Sequence, residues 1–105
     1  MRFVVISNSK HLAPPEAMVG LLDAMVGWVN KHTASGKMET SWASAGTPGG
    51  GGILNVNSLE ELDAIMAEYP FGPFSDTQII ATVGLVEAMQ RAKQAAQAMM
   101  AAGGR

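Results

Sequence analysis

The stretch Asn57–Val86, NSLEELDAIMAEYPFGPFSDTQIIATVGLV, decides the fold. Ser58 followed three residues later by Glu61 is a capping box, in which the serine side chain satisfies an open backbone N–H at a helix start. Leu59, Leu62, Ile65, Met66 and Tyr69 recur at helical spacing and predict one buried stripe. Pro70 cannot continue the helix, and Phe71 to Asp76 reads as a compact turn. From Thr77 to Val86 the period drops to two. Ile79, Ala81, Val83 and Leu85 share one face of a strand, and Gln78, Ile80, Thr82 and Gly84 the other.

Upstream, Arg2 to Ser7 is β-branched and aromatic, a first strand. Pro14-Pro15-Glu16 opens a helix that should run to about Lys31, with proline tolerated in the first turn and an acid suited to the dipole. Its apolar stripe is Met18, Leu21, Leu22, Met25 and Val29, with Trp28 at the edge. A second face is small throughout: Ala17, Gly20, Ala24, Gly27. Glycine costs about 1 kcal/mol relative to alanine inside a helix, so two of them there predict close packing against that face. Met38 to Ala45 is a second strand and Ile53 to Asn57 a third. The run Gly46-Thr47-Pro48-Gly49-Gly50-Gly51-Gly52 between them reads as a hairpin connection. It lies between strands and lacks a following Gly-Lys-Ser/Thr, which disfavours a phosphate cradle. Glu87 to about Ala102 is a third helix, rich in Ala, Gln and Met, ending at Gly103-Gly104. Its small residues predict docking on the Ala17/Gly20/Ala24/Gly27 face of the same subunit or a neighbour.

The order β-α-β-β-α-β, plus the last helix, is the ferredoxin-like split pattern. The expected fold class is α+β: a four-stranded antiparallel sheet with both core helices on one face. Residues 1–86 form the core of a single domain and 87–105 a C-terminal helix and tail. Too little chain is left to cover the other face of the sheet, which must form a pocket, meet a second copy, or both.

Composition narrows the function classes. With 48% apolar and 15% charged residues the chain is not disordered. Its seven Lys and Arg are scattered and the net charge is −2, so a nucleic-acid partner is not expected. There is no cysteine, which removes disulfides, thiol nucleophiles and zinc–thiolate sites. No apolar run is long enough to span a membrane, so no membrane partner and a cytoplasmic location are expected.

The residues Asn57-Ser58-Leu59-Glu60-Glu61-Leu62, then Tyr69-Pro70-Phe71-Gly72-Pro73-Phe74, then Thr77-Gln78-Ile79, resemble the muconolactone isomerase family. There a capped helix ends in a Leu-Pro-x-x-Pro-aromatic turn that leads into the last strand. Gly36-Lys37…Trp42…Gly46 is similar to the family's second strand. The resemblance covers most of residues 1–86 and implies a dimeric α+β barrel, two such sheets face to face in a homodimer or higher homo-oligomer. It implies isomerisation of a small lactone with no metal or organic cofactor. Two departures stand out: GTPGGGGIL replaces the family's polar-aromatic strand, and the chain adds its last helix.

Candidate site residues follow from chemistry. His11, beside Ser7, Ser9 and Lys10, is a candidate acid/base because imidazole titrates near neutral pH; an exposed loop histidine is the plainer reading. Asp76, after the Pro/Phe turn, is a candidate catalytic carboxylate or a turn cap. His32 is expected to face the C-terminal dipole of the first helix. Ser7, Trp42, Asn55, Phe71 and Phe74 are candidate ligand contacts, with Trp42 and Asn55 on the helix-free sheet face. Trp42 and the two phenylalanines could equally be interface or core residues. No His/carboxylate spacing suggests a metal. Three functions remain in play: a small-molecule binder or isomerase with its pocket on the helix-free face, a non-catalytic homo-oligomeric module, or a cofactor-free monooxygenase of the same fold.

Overall fold

A computed structural model describes residues 1–103; the expected Gly103-Gly104 helix stop lies partly outside them. The chain forms β1 (Arg2–Ser9), α1 (Pro15–Ala34), β2 (Met38–Ala43), β3 (Gly49–Asn55), α2 (Leu59–Ala67), a short 3-10 turn (Gly72–Phe74), β4 (Ser75–Thr82) and α3 (Leu85–Gly103). The strands make one antiparallel sheet in the order β2-β3-β1-β4. This is the ferredoxin-like α+β arrangement. No helix among the described residues is long and apolar enough to cross a membrane.

Register explains the two faces. Residues paired across antiparallel strands point the same way. Phe3, Leu54 and Met38 form one row, all buried, under α1 and α2. With Val5, Trp28, Val56, Leu62 and Ile65 they make the core. Val4 with Ile53, Thr40 and Ile80, and Ile6 with Gly51, Trp42 and Gln78, form rows on the opposite, helix-free face.

The serine arm of the capping box forms, with Ser58 Oγ accepting from the Glu61 N–H at 3.1 Å, while the Glu61 carboxylate pairs with Lys37. The glycine run differs from expectation. Gly49–Gly52 are strand residues paired to β1, and Gly50–Gly52 to β2 as well, so the connection is confined to the residues before them. Glycine is a poor strand former, yet close approach requires it here. A Cβ on Gly51 would lie 2.5 Å from Trp42 Cζ2 and 2.6 Å from the Val5 carbonyl oxygen. Gly49, at φ +147°, adopts a backbone conformation that side chains disfavour.

The last helix also departs. It was expected from Glu87 and begins at Leu85, cutting β4 short at Thr82. It does not dock on α1. Leu85, Val86, Met89, Met99 and Met100 are exposed, and a Cβ on Gly20 or Gly27 would meet nothing within 4 Å. The small face of α1 is therefore open in this chain. With α3 extending away, the molecule measures 70 × 28 × 23 Å. Its radius of gyration is 18.8 Å, against roughly 13 Å for a compact globule of this length.

Candidate functional site

The helix-facing rows thin out toward one end of the sheet. After the filled row of Phe3, Leu54 and Met38 come Val5–Gly52–Ser41 and Ser7–Gly50–Ala43. Gly50 and Gly52 place no side chain between sheet and helix, and Ser41, Ser7 and Ala43 place small ones. Helix α1 passes over this gap with Met18, Leu22, Met25 and Val29. The result is a cleft of about 610 Å³ between α1 and the sheet, bordered also by Met66, Tyr69 and Phe71 and open to solvent past Leu12 and Leu22, which are 75% and 51% exposed. Concave, mostly apolar clefts of this size are where small ligands ordinarily bind. The pocket expected on the helix-free face is thus found beneath the helices, because glycines fall on helix-facing positions of β3.

A hydroxyl pair forms the cavity's polar feature. Ser7 continues the buried Phe3–Val5 face of β1 and is itself 5% exposed. Its Oγ lies 2.8 Å from the Tyr69 hydroxyl. Tyr69 reaches it from just beyond α2, where Pro70 breaks the helix. Trp28 fixes the tyrosine: its indole Nε1 donates to the Ile65 carbonyl at 3.1 Å, and its ring lies 5.2 Å from that of Tyr69. The half-buried Tyr69 hydroxyl finds its partner in the buried Ser7. The remaining lining hydroxyls are Ser9, Ser41 and Ser75. Among the described residues, those lining the cavity include no Lys, Arg, His, Asp or Glu.

Of the residues singled out from sequence, Ser7, Trp42 and Phe71 border the cavity. Trp42 belongs to a helix-free row, with its indole over Gly51, as expected for its face. Asn55 shares that face through its pairing with Arg2 and lies away from the cavity. Phe74 is half-buried outside it; its carbonyl accepts from the Lys10 and His11 N–H groups at 2.8 and 3.0 Å, tying the β1–α1 loop to the 3-10 turn before β4. His11 is exposed on that loop. Asp76 pairs with Asn8 on the helix-free side, is exposed, and lies 3.5 Å from Lys10 Nζ. Neither lines the cavity.

Sequence reasoning missed Tyr69, Met18, Met25, Met38 and Met66 as site residues, reading those it named as core. One available signal was the serine at position 7, a polar residue continuing an apolar, helix-facing alternation.

A second polar cluster braces the helices. Lys31 Nζ lies 3.1 Å from Glu68 Oε2, and the buried His32 Nε2 lies 3.4 Å from the same oxygen. His32 packs edge-on to Trp28 on the same helix and reaches Glu68, the C-cap of α2, so it belongs to the α1–α2 contact. The Lys31 hydrogen bond, helped by its charge, holds the Glu68 carboxyl below the usual range. Lys37, 2.7 Å from Glu61, does the same for that residue.

No protein-family model and no curated protein matches the chain. Solved structures do. Muconolactone isomerase superposes with a TM-score of 0.73 at 20% identity, covering 80% of this chain and 90% of that one. A 5-chloro-2-hydroxyhydroquinone dehydrochlorinase from Burkholderia phenoliruptrix AC1100, in complex with 2,5-dihydroxybenzoquinone, superposes with a TM-score of 0.59 at 15% identity. That match covers 79% of this chain and 94% of that one. The fold is the muconolactone isomerase-like one.

Proposed function

We propose that this chain binds a small cyclic organic molecule in the cavity under α1, as a ligand-binding protein or a cofactor-independent isomerase. One observation carries the reading: a cleft of about 610 Å³ with a mostly apolar wall and a hydrogen-bonded hydroxyl pair, the buried Ser7 and the half-buried Tyr69. That combination suits a small ligand, with apolar walls for affinity and one polar point for orientation. The likeness to an isomerase and to a dehydrochlorinase held with a quinone agrees with it. For catalysis, the pair could donate a proton or hydrogen bond to a carbonyl as charge develops there. Isothermal titration with a panel of neutral lactones and quinones tests the reading. Saturable binding at one site per chain, lost when Met25→Trp and Val29→Phe fill the cavity from α1, is the expected result. Binding unaffected by those substitutions would place the ligand elsewhere.

Self-association is a second, compatible reading. The helix-free face carries Val4, Ile6, Ile53, Ile80 and Trp42, with Ile80 39% and Trp42 46% exposed. The cavity lies mainly on the opposite side of the sheet, with Trp42 bordering it as well, so a second copy can seat on this face without covering the α1 side of the ligand site.

A further inference from the structure

The hydroxyl pair and the uncharged wall together specify the kind of molecule the cavity takes. Ser7 and Tyr69 own two O–H protons. Their mutual hydrogen bond uses one, and among the described residues neither hydroxyl has another partner. One O–H is therefore free to donate into the cavity from its buried end. A carbonyl or ether oxygen is the matching acceptor. The walls around that donor are Val5, Met25, Trp28, Leu54 and Met66, with no cation to compensate a negative charge. Brought against the 5%-exposed Ser7 end, an ionised carboxylate loses part of its hydration without gaining a counter-charge, which is unfavourable. Thioether side chains at positions 18, 25, 38 and 66 add a polarisable, adaptable surface suited to a flat ring.

We infer that the cavity selects an uncharged ring compound whose carbonyl oxygen accepts a hydrogen bond from the Ser7–Tyr69 pair, and that it rejects the carboxylate-bearing counterpart. This rests on reading the cavity as a ligand site. The probes are coumarin, a neutral aromatic lactone, and coumarin-3-carboxylate, whose charge sits next to the same carbonyl. Both are titrated calorimetrically at neutral pH, where the carboxylate is ionised. Coumarin should bind saturably and the carboxylate at least about a hundredfold more weakly. The double change Ser7→Ala with Tyr69→Phe, which removes both donors, should weaken coumarin roughly two- to tenfold, the worth of one hydrogen bond. Leu22 lines the cavity while 51% exposed, so Leu22→Lys can bring in a cation that still reaches water, and it should restore carboxylate binding. A carboxylate that binds the unaltered chain as tightly as coumarin would overturn the inference while leaving the ligand site standing. Binding of neither probe, nor of any neutral ring in the wider panel, would overturn the ligand site and the inference with it.

Discussion

At the scale of single residues, Ser7 and Tyr69 tie the strand that centres the sheet to the end of α2. Replacing Tyr69 by phenylalanine removes one partner and leaves the buried Ser7 hydroxyl without one, which costs roughly 1–3 kcal/mol. The double change Ser7→Ala with Tyr69→Phe removes both partners and should cost less than the sum of the single changes. Urea denaturation of the four proteins measures this; strict additivity would mean the pair is not coupled. Neither His11 nor Asp76 shares this environment, since both side chains are exposed and outside the cavity. Under the cavity account, His11→Ala and Asp76→Asn leave ligand affinity within about twofold, because surface changes away from a site rarely exceed ±0.5 kcal/mol.

At the scale of elements, β3 is the decisive piece. Its glycines are where reading from sequence and observed structure part. Alternation, caps and proline stops fixed the helices and three strands to within a few residues, because those signals are local. Gly49–Gly52 has no side chains to alternate, so its place in the sheet depends on distant partners: Val5 and Ser7 on one side, Ser41 and Trp42 on the other. The cavity was invisible for the same reason, being made by absent side chains. Gly51→Ala should destabilise by roughly 1–3 kcal/mol, the usual range for overpacking. Trp42→Ala should not rescue it, since the Val5 carbonyl oxygen also stands 2.6 Å from the added Cβ. Full rescue would refute the backbone contact. The α1–α2 brace gives a pH signature. Glu68 titrates lower when folded than when unfolded, because Lys31 stabilises its charged form. Its contribution is therefore complete above the ordinary carboxylate range and fades as pH falls through that range to the folded value. Melting temperatures of Glu68→Gln should converge on those of the unaltered chain as pH drops from neutral toward acid. A gap that widens in acid would contradict the assignment.

At the scale of the whole molecule, the helix-free face, α3 and the small face of α1 lack partners in the isolated chain. The small face of α1 predicted a docked last helix, and that prediction fails within one subunit, since nothing stands over Gly20 or Gly27. Sequence shows that a helix is sticky on one side; it does not show which molecule it adheres to. Sedimentation should find the chain as a dimer or larger, and paired Ile6→Asp and Ile80→Asp changes should shift it toward monomer with coumarin affinity retained. A monomer from the outset would confine the barrel reading to the fold. The cavity itself is tested most directly by methyl NMR. Four of the eight methionines, at positions 18, 25, 38 and 66, line it, while Met1, Met89, Met99 and Met100 lie elsewhere. Titrating coumarin into methyl-labelled protein should move the first four resonances saturably and leave the other four in place; shifts confined to Met89, Met99 and Met100 would contradict a ligand site under α1.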